Sequence, residues 1–105
     1  MKPDRVAALE EMLKENPQDA FCMYALALEF AGSPSHREKA LGLLLGLRSL
    51  HPDYLPLYYQ LAVLLKNADR VGEAREVLER GLGLAAERGD RHTAAELNFL
   101  LDEID

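Results

Sequence analysis

The chain has 105 residues and a formal net charge of −6, from 18 acidic and 12 basic side chains. Its hydrophobic fraction of 49% is enough for a continuous core, which argues against an intrinsically disordered chain. The negative charge argues against non-specific nucleic-acid binding, which needs a basic surface to displace the counterions of phosphates.

Six helices are predicted in chain order from apolar residues at helical spacing and from the turn residues between them. The first begins near Pro3, where the missing N–H costs nothing, and ends at Asn16-Pro17. Asp19 is expected to cap the second helix, and Gly32 to end it in the left-handed conformation. The short turns predict one domain over residues 1–105, with helices at roughly 3–15, 19–31, 35–50, 54–66, 70–88 and 91–104.

The later helix ends are predicted from further capping residues. Ser35 and Glu38 have the spacing of a capping box at the start of the third helix. Asp53 is expected to cap the fourth helix, Asn67 to end it in the left-handed conformation, and Asp69 to cap the fifth.

One pattern occurs twice, about 35 residues apart. The first copy is Met23-x-x-Leu26-Ala27-x-x-Phe30, Ala40-x-x-x-Leu44 and Pro52. The second is Tyr58-x-x-Leu61-Ala62-x-x-Leu65 and Ala74-x-x-x-Leu78. A fixed period in the thirties is typical of stacked helical hairpins, which usually hold partners. The spacing also places one extra residue of the first copy in the turn at residues 33–37.

This spacing resembles the tetratricopeptide repeat (TPR), whose pattern is W-x-x-L-G-x-x-Y, then A-x-x-x-F, then P. The resemblance covers about residues 5–86, as two full repeats behind a leading half-repeat, with the last helix as a cap. It implies an all-α fold, a right-handed solenoid of antiparallel helix hairpins with about six helices.

Two departures from the family pattern bear on the expected packing. Leu47 stands where the family usually has alanine, so the first hairpin is expected to splay. Ala86 stands where the closing proline is expected, so the fifth helix can continue to Arg88, with Gly89 after it. Asp90 or a neighbouring threonine then opens the sixth helix.

In TPR proteins the first helix of each hairpin lines a concave groove. The best-known peptide-binding version uses Lys, Asn and Arg there to hold a C-terminal carboxylate. The corresponding residues here are Tyr24, Leu28, Gln60 and Val63, so that clamp is missing from this sequence. The resemblance therefore implies an apolar, aromatic groove, and the predicted partner-binding residues are Phe21, Tyr24, Leu28, Tyr59, Val63 and Lys66.

An alternative is that Tyr24, Leu28 and Val63 are covered by the C-terminal helix or by a neighbouring subunit. The histidines have no metal-binding spacing, and Cys22 has no base partner in the sequence. The acidic pairs Glu10-Glu11 and Asp102-Glu103 lie on solvated helix faces. We therefore predict no enzyme activity, no metal and no cofactor.

The predicted function is a non-catalytic adaptor or scaffold that binds a protein or peptide partner. The alternative is self-association, with the groove or the last helix forming a homodimer interface. Residues 53–105 carry 11 acidic and 6 basic side chains, so a basic partner segment is expected to be steered there. We expect no nucleic-acid or membrane partner and a cytoplasmic location, because the chain starts without an apolar leader and has a single cysteine.

Overall fold

The described residues of the computed structural model, 2–104, form six α-helices and one short 3₁₀ helix, with no strand among them. They divide into two compact units, Met1–Tyr54 and Leu55–Asp105, with three α-helices in each. The all-α prediction is confirmed. One domain over residues 1–105 stays a prediction.

The first unit contains α1 (Pro3–Glu15), α2 (Ala20–Ala31) and α3 (Arg37–Leu50), with a 3₁₀ helix at Pro34–His36 before α3. Helix α2 packs against both α1 and α3. Every helical position of the first repeat copy is buried in this unit. The core residues are Leu9, Cys22, Met23, Leu26, Ala27, Phe30, Ala40, Leu41, Leu44 and Leu47.

The second unit contains α4 (Pro56–Asn67), α5 (Val71–Arg88) and α6 (Arg91–Ile104), and each helix packs against the other two. The second repeat copy is buried here in the same way. Helix α5 does continue to Arg88, as the loss of the closing proline predicted. The core residues are Leu55, Leu57, Tyr58, Leu61, Ala62, Leu64, Leu65, Ala74, Val77, Leu78, Ala85, Leu97 and Leu100.

Small residues mark the close helix contacts within each unit. The four repeat alanines, Ala27, Ala40, Ala62 and Ala74, have no exposed surface. Leu47 is also fully buried, so α3 accommodates the larger side chain inside the first unit. Close packing of α-helices at small residues therefore explains why the repeat keeps alanine at these positions.

Several helix ends agree with the capping predictions. The Asp19 carboxylate accepts a hydrogen bond of 3.0 Å from the Cys22 backbone N–H at the start of α2. Gly89 ends α5 at φ 65°, a left-handed conformation that glycine adopts without steric cost. Asp90 opens α6 by accepting hydrogen bonds from the backbone N–H and the hydroxyl of Thr93.

Three other predicted ends are wrong. Gly32 has φ −73°, so α2 does not end in the left-handed conformation. Ser35 lies inside the 3₁₀ helix, because Pro34 occupies the first position of that helix and shifts the start of α3 to Arg37. Pro56 likewise sets the start of α4, so Leu55 rather than Asp53 holds the capping position.

The turn between α4 and α5 corrects two further predictions. Asn67 is still helical, and Asp69 takes the left-handed conformation at φ 62°. The Asp69 N–H bonds to the Lys66 carbonyl, and the Arg70 N–H bonds to the Leu65 carbonyl. This pair of bonds closes the end of α4, so Asp69 terminates one helix instead of capping the next.

Candidate partner-binding surfaces

The outer face of α2 carries the first three predicted binding residues. Phe21, Tyr24 and Leu28 are spaced by three and four residues, which places them on one side of the helix. Phe21 is 66% exposed and Leu28 38% exposed, while Tyr24 is half-buried. This face therefore offers apolar and aromatic surface to solvent, a common property of binding sites.

The Tyr24 ring is supported by a residue that sequence reasoning missed. Its centroid lies 5.5 Å from that of the Tyr54 ring, and the two ring planes are tilted by 58°, a geometry that aromatic pairs prefer. Burial, and then the charge of Asp19, raise the pKa of the Tyr54 phenol. Tyr54 thus stays neutral at physiological pH and extends the aromatic surface of the first unit. No local sequence signal pairs it with Tyr24, because the contact depends on the turn after α3.

The corresponding face of α4 is partly covered by its own unit. Tyr59, Val63 and Lys66 are all half-buried. The Lys66 ammonium lies 2.9 Å from the Glu103 carboxylate on α6, so the cation predicted at the groove edge is already paired. Both side chains keep about two-fifths exposure, so we expect the pair to contribute at most about 1 kcal/mol of stability.

A shallow pocket lies beside this face, between α4 and α6. Its volume is about 280 Å³, and Tyr59, His92, Ala95, Glu96 and Phe99 line it. Phe99 is 68% exposed. Sequence reasoning missed Phe99 because it lies off the apolar stripe of α6. The pattern that could have found it is an aromatic residue among the polar positions of an amphipathic helix.

A second surface pocket, of about 430 Å³, lies in the first unit. The Phe30 ring, which lines this pocket, is stacked on His36 at a centroid distance of 5.5 Å, and the Lys39 ammonium lies 5.4 Å from the ring centroid. These contacts cover Phe30, which is only 6% exposed. The lining residues are Glu10, Met23, Leu26, Phe30, Lys39, Gly42 and Leu43, of which none was predicted as a binding residue.

The single cysteine is placed as a core residue. Cys22 is 2% exposed, and burial followed by the nearby Asp19 charge raises the pKa of its thiol. A nucleophilic cysteine needs the opposite, a lowered pKa and access to substrate. The local environment of Cys22 therefore favours packing over reaction.

The three histidines serve local contacts. His36 is hydrogen-bonded through Nδ1 to the Ser33 hydroxyl at 3.0 Å, and His51 Nε2 donates to the Gln18 carbonyl at 2.6 Å. His92 Nε2 lies 3.5 Å from the Glu96 carboxylate. Within residues 2–104, no group of three or more His, Cys, Asp or Glu side chains is arranged to hold a metal ion. In the same range no helix combines the length and the hydropathy needed to cross a membrane.

Solved structures provide the clearest similarities to this chain. A tetratricopeptide repeat domain protein from Salinibacter ruber is 31% identical in sequence. Its solution structure has a TM-score of 0.77 and the match covers 85% of this chain and 89% of that one, while its crystal structure has a TM-score of 0.76 over 82% and 96%. A Bordetella parapertussis protein solved in solution is 25% identical, with a TM-score of 0.80 over 94% of this chain and 85% of that one. No protein-family model matches the chain, and no curated protein matches it significantly.

Proposed function

Because the chain belongs to the tetratricopeptide repeat family, we propose that it is a non-catalytic adaptor or scaffold that binds a protein partner. The observation that carries this proposal is the exposed aromatic and apolar face of α2, where Phe21 is 66% exposed. A soluble domain gains nothing in stability from a large apolar side chain left in water, whereas a partner can bury it.

The chemistry of the faces indicates the kind of partner segment. The residues of α2 and α4 that correspond to the carboxylate clamp are Tyr24, Leu28, Gln60 and Val63, none of which is cationic. Apolar and aromatic surface suits an internal extended or helical segment that inserts apolar side chains. The net charge of −6 supports a protein partner over a nucleic acid, and we place the interaction in the cytoplasm.

The test is a double variant on the two predicted faces, Tyr24→Ala with Tyr59→Ala. Affinity purification from the native cell, followed by mass spectrometry, would define the partners of the wild-type chain. We expect the double variant to lose at least one of these partners, since truncation of a central aromatic anchor typically costs about 2 kcal/mol or more of binding free energy. Leu50→Ala is the matched control, because Leu50 is 45% exposed on α3 and belongs to neither face.

Circular dichroism would establish that the double variant keeps its helical content. A folded double variant that retains every wild-type partner would contradict the proposal.

Self-association is the second candidate function, and the exposed Phe99 on α6 is the observation that favours it. In that case, α6 or the apolar face of α2 would form the contact between two copies. Light scattering at a chain concentration of roughly 100 µM distinguishes self-association from the adaptor function, because a stable homodimer has a Kd well below this value. A monomeric mass would favour the adaptor.

A further inference from the structure

The pocket between α4 and α6 differs in chemistry from the face of α2. We propose that it binds an arginine side chain presented by a basic segment of a partner protein. This inference rests on the proposed function as an adaptor and adds the class of residue that one surface selects.

The pocket has the size and the walls for one side chain. Its volume of about 280 Å³ is at the lower end of ligand pockets and too small for a helix. Tyr59 supplies a half-buried ring from α4, and Phe99 supplies an exposed ring from α6. Leu97 and Leu100 bury the inner face of α6, so the packing of this helix does not require the Phe99 ring.

Carboxylates accompany these rings. Glu96 lines the pocket and precedes Phe99 by three residues, which puts both side chains on the same face of α6. Asp102 and Glu103 follow about one turn after Phe99, and both are exposed. The pocket thus combines aromatic faces with negative charge, the two features that bind a cation best.

Two basic groups lie beside these three carboxylates, one lysine and one histidine. The Lys66 ammonium is paired with Glu103 at 2.9 Å, at the far end of the face. His92 lies 3.5 Å from Glu96, and its side chain is 88% exposed, so an incoming cation can displace it at little cost. The excess of acidic residues in 53–105 adds long-range attraction for a basic segment.

Arginine suits this geometry better than lysine does. Its planar guanidinium can stack on a ring and donate two parallel hydrogen bonds to one carboxylate, whereas the lysine ammonium is a compact, strongly hydrated charge. An acidic segment would be repelled, and a purely apolar one would leave Glu96 desolvated without a partner.

The experiment measures binding of short fluorescein-labelled peptides to the full chain by fluorescence anisotropy. One peptide carries arginines separated by serine and alanine, and matched peptides carry lysine or glutamine in their place. We expect the arginine peptide to bind most tightly and the glutamine peptide least. Phe99→Ala and Glu96→Gln should each weaken the arginine peptide by about fivefold, in line with one cation–π contact or one charge-assisted hydrogen bond.

Leu50→Ala is the matched control, since Leu50 is an exposed apolar residue on α3, at 45%, and belongs to neither proposed surface. It should leave the affinity for the arginine peptide unchanged. Phe99→Leu keeps the apolar bulk but removes the aromatic face, and it should also weaken binding of the arginine peptide. This variant provides the test if Phe99→Ala lowers the stability of the fold. Amide chemical shifts should change at Ala95, Glu96 and Phe99 when the peptide is added.

Equal affinity for the arginine and lysine peptides, or an arginine peptide that binds Phe99→Ala as tightly as the wild type, would overturn the inference. So would shift changes confined to α2. Such a result would leave the adaptor function intact if the Tyr24→Ala/Tyr59→Ala variant still lost partners. Conversely, tight arginine binding together with unchanged partner capture by that double variant would contradict the proposed function alone.

Discussion

At the scale of single residues, two glycines of α5 occupy opposite environments. A Cβ built on Gly81 would lie 2.9 Å from the Tyr58 Cβ and 3.0 Å from the Leu97 Cδ1. A Cβ on Gly83 would have no neighbour within 4 Å. Gly81 therefore permits the close approach of α4 and α6 to α5, while Gly83 only weakens the helix.

We predict opposite effects of alanine at these two positions. Gly81→Ala should lower the free energy of unfolding by about 1–3 kcal/mol, because overpacking displaces Tyr58 and Leu97. Gly83→Ala should raise it by about 0.5–1 kcal/mol through helix propensity. Urea denaturation of the wild type and both variants measures the two changes, and a Gly81→Ala variant as stable as Gly83→Ala would contradict the predicted contact.

The sequence could not separate these glycines. Both interrupt the same predicted helix, and both carry the same propensity cost. Their difference depends on which side of α5 meets α4 and α6, which only the packing determines. The repeat alanines were predictable because their spacing recurs in both copies.

At the scale of helices, the start of α6 has a titratable cap. The Asp90 carboxylate accepts a 3.0 Å hydrogen bond from the Thr93 N–H and a 2.7 Å bond from the Thr93 hydroxyl. The bond from the backbone N–H has the larger effect and the bond from the hydroxyl the next largest. Together they lower the pKa of Asp90, although desolvation acts in the opposite direction. The folded state therefore favours the ionised form of Asp90 more than the unfolded state does.

Because of this cap, we expect the stability of the second unit to decrease as the pH falls. The contribution of Asp90 is fully present above the pKa of an unfolded aspartate, about 3.9, and is lost as the pH falls through the lower folded value. Asp90→Asn keeps a good capping residue that does not titrate. We expect the free energy of unfolding of the wild type to fall more steeply below about pH 4 than that of Asp90→Asn, as measured by urea denaturation across pH.

Asp19→Asn makes the same substitution at the N-cap of α2, where the carboxylate accepts a hydrogen bond of 3.0 Å from the Cys22 backbone N–H. Parallel pH profiles for the wild type and Asp90→Asn would contradict the assigned role of the carboxylate.

The helix ends show how far local sequence rules reach. Asp19 and Gly89 were predictable, because each is the only strong signal at its helix end. The capping predictions for Asp53 and Ser35 were wrong. Pro56 and Pro34 lie close after or before them, and proline favours the first position of a helix. Asp69 was unexpected as a helix terminator, since aspartate adopts a positive φ far less readily than glycine does.

At the scale of the whole molecule, the repeat pattern predicted the core of each unit but not all of the aromatic side chains outside it. Both copies bury the same positions, and the similarity to tetratricopeptide repeat proteins agrees with the family inferred from them. Tyr54 and Phe99 were missed because neither belongs to a repeat position. The binding role of Tyr24 and Tyr59 stays a prediction, which the double variant tests, and that of Phe21 stays a prediction as well.

The uneven charge of the chain leads to a prediction about salt. Binding of the arginine peptide should weaken by several-fold when salt rises from about 0.05 M to about 0.5 M, because the Debye length falls well below 10 Å. Binding of an apolar partner segment to α2 should change little over this range, since burial of apolar surface is not screened by salt. Anisotropy titrations at several salt concentrations measure both, and equal salt dependence would show that the two surfaces do not differ as proposed.

The burial of Cys22 makes its thiol a probe of how often the first unit opens. Cys22 is the single cysteine in the sequence, and it is 2% exposed. Because the Cys22 thiol is buried, a reagent reaches it while the first unit is transiently open, so the labelling rate reports how often the first unit opens. Measured with and without a bound partner, that rate would show how much a ligand on the outer face of α2 holds the helix closed, without any change to the surface that binds it.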